Sequence, residues 1–321
     1  MRDRGDSGYR GKREWPFAVF LAVMGSLFVG LLLLLVGANV YTATSAQVWG
    51  VLGDENIQGS IRLTFVTCSV TAILSILVAV PLGFVLSRYQ FRGRALLDTV
   101  LDIPILLPPL VVGLSLLILM NQVPPAICVA ILAAGFGGAA LLASGGVVRS
   151  FFVGMGILML IGMVFLWGEE NSLEWFAGEA GVPLTFHPLG VVLAQFPVAA
   201  AFAVRTMRTV FDQVDPRFEE VARTLGAGRG QAFVRIVLPQ AGRGILAVGT
   251  MAWARALGEF GPILIFAGAT RGRTEVLSTS VFLELNIGNL AGAAAVSLVM
   301  IVLAVVTLLV VRVFVGQGVM K

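Results

Sequence analysis

Charge is what this sequence has least of. Only 12% of its 321 residues are Asp, Glu, Lys or Arg, about half the roughly 25% of an ordinary soluble domain. Histidine occurs once, as His187, and cysteine twice, as Cys68 and Cys128. The two cysteines lie in separate apolar stretches without a CxxC partner, so neither a disulfide framework nor a zinc site is expected, and no metal ligands are assigned. No nucleophile–base arrangement is visible, and no GxxxxGK[ST] phosphate loop. The chain is therefore not expected to be an enzyme, to hydrolyse ATP or to hold a cofactor. The net charge of +4 is small and scattered over the edges of apolar blocks, which gives nucleic acid no basic patch to bind. The short alternating segments of an outer-membrane barrel are also missing.

What is abundant is apolar sequence. Hydrophobic residues make up 58% of the chain and come in long runs. A helix needs about 20 such residues to cross a bilayer. Eight blocks qualify, at about 17–38, 61–87, 97–120, 124–143, 147–167, 189–209, 243–268 and 288–314. This predicts an all-α polytopic membrane protein surrounded by lipid. Blocks four and five are rich in Gly and Ala and follow a short "NQVPP" connection, so six spans with a re-entrant hairpin is the competing count. The basic start, 1–16, leads into an apolar run too long for a signal peptide, so 17–59 is read as an uncleaved first span and its external loop. The main body is 60–315, and 316–321 is a short tail.

The basic residues orient the bundle. With the N-terminus inside, 18 of the 22 Lys and Arg fall on cytoplasmic segments and three, Arg62, Arg271 and Arg273, fall outside. That bias predicts both termini in the cytoplasm. The loop 168–188 holds four glutamates and no Lys or Arg, consistent with an outer position. His187, at an outer membrane edge, reads as an interfacial residue, with a ligand role as the alternative. Trp49, Trp167 and Trp175 fit interface positions.

Two spans are interrupted. "LDIPILLPPLVVGL" contains Pro104, Pro108, Pro109 and Gly113. Proline inside a helix removes a ladder bond and displaces the chain, so this span is either a kinked packing helix or a wall of the translocation route. Asp98 and Asp102 precede the prolines as possible anchors. The second, "ARALGEFGP", puts Arg255 and Glu259 at i and i+4, on one helix face and close to mid-bilayer, where a lone Arg costs roughly 2.5–3.5 kcal/mol. The pair is either a structural brace or a gate that offers positive charge to a passing anion. Gly258, Gly261 and Pro262 predict a narrow, broken helix there, a feature that often carries ion or substrate contacts.

The longest inside loop, 210–243, is ordered by pattern. Asp215 reads as an N-cap, Pro216 as the first helical position, and Glu219 and Glu220 as early-turn acids. Phe218, Val221, Ala222 and Leu225 share an apolar face. Gly226 and Gly228 end that helix. A second short helix, about 229–237, presents Phe233, Ile236 and Val237, and Pro239 closes it.

This loop resembles the cytoplasmic signature of bacterial ABC importer permeases. Glu220, Val221 and Ala222 stand at the Glu-Ala-Ala triplet, followed by Gly226 and then Ile236, Leu238 and Pro239 at the family spacing; Val221 replaces an alanine. The resemblance implies a type I importer fold and a coupling helix that docks on a separate ATPase subunit, where ATP and Mg would be held. It also implies an extracytoplasmic solute-binding protein and a second permease subunit, identical or similar. "ARALGEFGP" and "LDIPILLPPLVVGL" further resemble the sulfate/thiosulfate and molybdate/tungstate permeases, over most of 60–120 and 187–315. The likeness stops at about 121–186, where this chain has extra apolar sequence and the acidic loop. The expected function is a plasma-membrane permease subunit of an ATP-driven importer working by alternating access, with an oxyanion as solute. The alternatives are an ABC permease for an amino acid, metal or phosphate, and an ion-coupled secondary transporter.

Overall fold

The computed structural model describes residues 15–43, 49–51, 53–91, 93–121 and 185–316. Among these residues the regular structure is helical. The predicted spans 124–143 and 147–167, Cys128, Trp167 and Trp175 lie outside them.

Five helices are long and apolar enough to cross a membrane, and a bent pair adds a sixth candidate. Helix α1 covers Trp15–Thr42. Helix α2, Glu55–Arg88, starts where the Asp54 carboxylate accepts from the Asn56 N–H at 2.8 Å. Helix α3, Arg94–Leu106, and α4, Pro109–Asn121, form the bent pair. Helix α5 is Pro188–Asp212 and α6 is Arg217–Thr224. Helix α7 runs from Arg229 to Leu257. The short α8, Gly261–Phe266, and α9, Leu277–Asn286, lead into α10, Leu290–Gly316.

The bundle is built on α2 and α5, which share the most extensive helix contact, with α7 across both. Small side chains make this possible. The buried face of α2 reads Ser60, Thr64, Thr67, Thr71, Ser75, Ala79 and Gly83. A Cβ on Gly83 would stand 3.0 Å from the Met207 Cβ and the Arg208 nitrogen of α5. In lipid no water-driven force separates inside from outside, so close backbone approach and interhelical hydrogen bonds hold helices together. The hydroxyls take part: Thr64 Oγ1 accepts from the Leu277 N–H at 2.9 Å, capping α9. By contrast α1 leaves nearly all its large side chains exposed and packs mainly on α10.

Two sequence expectations are corrected. The block 97–120 is not a single kinked helix: α3 and α4 meet at 108°. Leu107 precedes Pro108 and is extended (φ −68°, ψ 141°), because the proline ring clashes with a helical predecessor. Pro109 then opens α4 as a first helical residue. Nor does Pro239 close a second short helix at 237. The helix continues through it to Leu257, making the span 29 residues long. The turn Phe233–Val237 widens to π geometry, with the Leu238 N–H bonded to the Phe233 carbonyl. That extra residue per turn relieves the clash a proline makes with the carbonyl four positions back.

Candidate functional site

The first candidate is the loop between α5 and α7. Asp215 Oδ1 accepts from the Arg217 N–H at 3.0 Å, the predicted cap, with the helix assigned two residues later. Gly226 ends α6 with φ +90°, a left-handed conformation that costs other residues about 1–2 kcal/mol. Ala227 N–H reaches back to the Ala222 carbonyl at 3.0 Å and closes the turn. The inner side of the loop is tied to the bundle by aromatic contacts: Phe233 lies 4.5 Å from Phe84 and 6.2 Å from Phe211, centroid to centroid. Ala222, Ala232 and Val237 are buried. Ile236 and Leu238 are half-buried, Glu219 is half-buried, and Glu220 and Pro239 are exposed.

The outer side is the informative one. Phe218, Val221 and Leu225 are 54%, 57% and 83% exposed on one face of α6. Ala222 departs from the expected shared face and turns inward. Full burial of such a side chain is worth roughly 1.5–3 kcal/mol, and covering what remains exposed here is worth a part of that.

The second candidate is the break after α7. Arg255 lies in the last turn of its helix, which stops at Leu257 inside the predicted block 243–268. There the helix macrodipole favours a cation. Glu259 lies past the helix end, yet the chain curls so that Arg255 Nη2 and Glu259 Oε1 stand 2.9 Å apart. The carboxylate is sealed, at 1% exposure, and the guanidinium is 31% exposed, lying 5.5 Å from the centre of the Phe202 ring. One partner is thus fixed inside and the other is presented outward.

Several groups hold the break open. Gln195 of α5 donates from Nε2 to the Ala256 carbonyl at 3.2 Å and accepts from Thr71 Oγ1 at 3.0 Å. It satisfies a carbonyl at the frayed helix end. Ser278 Oγ donates to the Glu259 carbonyl at 2.7 Å. Helix α8 then packs on α4. A Cβ on Gly261 would stand 2.9 Å from the Pro109 Cβ, and one on Gly113 would stand 2.7 Å from the Pro262 Cα. Two proline–glycine contacts therefore dovetail the two broken segments, and both glycines are required by space.

The structure thus brings Pro109 to Gly261 and the Arg255–Glu259 pair close behind. It does not do the same for Pro104, half-buried inside α3, or Pro108, exposed at the bend. Gly258 is exposed and has room for a side chain. Sequence reasoning missed Gln195, Phe202 and Ser278, since their roles arise only from contacts between distant segments. His187 caps α5, its Nδ1 accepting from the Leu189 N–H at 3.3 Å. Cys68 is buried among packing residues.

Membrane-length helices, a loop helix with an exposed apolar face and a charged, broken helix characterise an integral membrane protein. The chain belongs to the family of binding-protein-dependent transport system inner membrane components, which matches residues 75–316. It is 29% identical over 279 residues to the sulfate transport system permease protein CysT of Escherichia coli (strain K12), covering 86% of this chain and 84% of that protein. It is 31% identical over 242 residues to the molybdenum transport system permease protein ModB of the same organism, covering 74% and 86%. A probable molybdenum ABC transporter permease of Haloferax volcanii is 32% identical over 290 residues, 89% of this chain and 87% of that one. The fold is shared with a chain of a bacterial alginate ABC transporter, solved with its alginate-bound periplasmic protein: TM-score 0.61, 18% identity, 94% of both chains covered.

Proposed function

We propose that this chain is the permease subunit of an ATP-driven importer for a tetrahedral oxyanion: molybdate, tungstate or sulfate. Two such subunits, identical or similar, frame one pathway in the plasma membrane, with both termini and the 210–243 loop on the cytoplasmic side. The observation that carries the reading is the apolar face of Phe218, Val221 and Leu225, exposed on a helix whose other side is anchored to the bundle. It serves as the docking face for a separate ATPase subunit, which holds ATP and Mg. An extracytoplasmic binding protein delivers the solute. ATP binding draws the ATPase pair together, the docked loops move, and the bundles open to receive the solute.

The oxyanion assignment rests on the sulfate and molybdenum permeases among the relatives and on the charge at the break. Glu259 engages one edge of the Arg255 guanidinium and fixes its orientation. A planar guanidinium with donors left over suits an oxyanion better than a point charge does. In this role Arg255 and Glu259, with Gly261 and Pro109 beside them, form the gate.

The test is co-purification. Co-expressed with its ABC ATPase subunit, the wild-type chain is expected to form a stable complex that hydrolyses ATP. Leu225→Asp should lose the ATPase subunit while keeping its own thermal stability. An undiminished complex with Leu225→Asp would contradict the docking role.

A further inference from the structure

Helix α3 is an unusual member of the bundle. None of its residues is fully buried, and it is cut from α4 by the 108° bend. Leu97 and Leu101 lean on the core formed by α2, α5 and α7. Its polar attachment is a two-rung ladder. Arg208 Nη1 donates to Asp98 Oδ1 at 3.0 Å, and Arg205 Nη2 lies 3.3 Å from Asp102 Oδ2. The aspartates are four residues apart on α3 and the arginines three apart on α5, so each pair shares a helix face. The four charges, with Leu86 and Leu101, line a small cavity between the helices.

The arginines stand on the last turns of α5, immediately before the docking loop. The same end is fastened to α2: Ser87 Oγ donates to Asp212 Oδ1 at 2.6 Å, and Arg88 Nη2 donates to the Val214 carbonyl at 2.5 Å. Val214 leads directly into α6. A displacement of α6 reaches Arg208 and Arg205 through the segment 213–216 and the last two turns of α5, and through them the otherwise loosely held α3.

We propose that Asp98–Arg208 and Asp102–Arg205 are the linkage that transmits movement of the docking helix to α3, and so to the bend at Leu107–Pro108 beside the gate. These four side chains act as positioning residues: they touch neither solute nor nucleotide. The inference rests on the importer reading above, because it needs an ATPase to drive α6.

The test follows the end of α3 directly. Leu106, 79% exposed at the bend, is replaced by Cys in a Cys128→Ala background, the other cysteine, Cys68, being buried. In the reconstituted complex with the ATPase subunit, maleimide labelling of that thiol is measured without nucleotide and after trapping with ATP and vanadate. ATP hydrolysis is recorded on the same sample. The linkage predicts at least a fivefold change in labelling rate on trapping. Asp98→Asn with Asp102→Asn should abolish the change while the complex still hydrolyses ATP. The exchanged pair Asp102→Arg with Arg205→Asp should retain it, although either single change alone loses it. A trapping response that survives neutralisation, or is absent in the unaltered ladder while ATP is hydrolysed, would overturn the linkage. So would failure of the neutralised protein to assemble, since the aspartates would then serve folding. A chain that binds no ATPase subunit at all would fail at the earlier step and remove the importer reading itself.

Discussion

The two broken segments of this bundle are built in opposite ways. At Leu107–Pro108 the chain turns through 108° with the residues around it exposed, and the helix before it has no buried residue. At Gly258–Phe260 the break is packed: Glu259, Gly261, Pro262, Ile263 and Phe266 are all buried. Gln195 and Ser278 bond to the carbonyls on either side. Proline stops the helix at the first break and glycine with proline at the second, yet the first leaves its surroundings exposed and the second buries them. Local backbone chemistry decides where a helix stops. What packs around the stop decides whether it can move.

The contrast makes graded predictions. The largest effect is expected at the packed break. Arg255→Ala leaves the Glu259 carboxylate buried and unpaired, a change that costs about 3–5 kcal/mol for a fully buried pair and somewhat less here, where the arginine is partly exposed. Thermal unfolding of the purified chain should show a clear loss. Adding Glu259→Gln should restore most of the stability without restoring anion uptake. Recovery of both would make the pair a brace and not a gate.

Next comes the dovetail. Gly113→Ala drives a methyl group against the Pro262 backbone, and Gly261→Ala does the same at Pro109 and Leu110. Overpacking of this kind costs about 1–3 kcal/mol, which a melting curve in detergent can read. Both substitutions should also shorten the lifetime of the assembled complex.

Gly226→Val lies outside both breaks and should cost about 1–2 kcal/mol through its left-handed backbone. Space is not the reason, for a Cβ there meets nothing within 4 Å. Its signature should be functional: membrane insertion unchanged and stimulation of the ATPase by solute-loaded binding protein lost. The smallest effect belongs to the open break. Leu106→Ala should move stability by less than about 0.5 kcal/mol. A loss as large as that of Gly113→Ala would erase the distinction between the two breaks.

The local structure of the loop between α5 and α7 was legible in the sequence because its signals are local. Asp215 caps within two residues, Gly226 takes a positive φ, and Phe218, Val221 and Leu225 repeat at helical spacing. The Arg255–Glu259 pair was legible for the same reason, its partners being four residues apart. The passage of α7 through Pro239 was not, because the π turn that absorbs the proline leaves no compositional mark. The proline run at 104–109 reads equally well as a kink or a sharp bend, and only packing against α8 separates the two. Gln195 is an ordinary polar residue in an apolar helix until Thr71 and Ala256 are placed beside it. Asp98 and Asp102 looked like anchors, which they are, but the arginines they hold lie more than a hundred residues away.

The most direct test of the whole account is uptake. The chain is reconstituted into vesicles with its ATPase subunit and supplied with the binding protein. Uptake of radiolabelled molybdate, tungstate and sulfate is then followed with ATP on the cytoplasmic face. The account predicts uptake of at least one of these anions that requires ATP and is lost in Arg255→Ala/Glu259→Gln. Uptake that persists without ATP or without the ATPase subunit would contradict it.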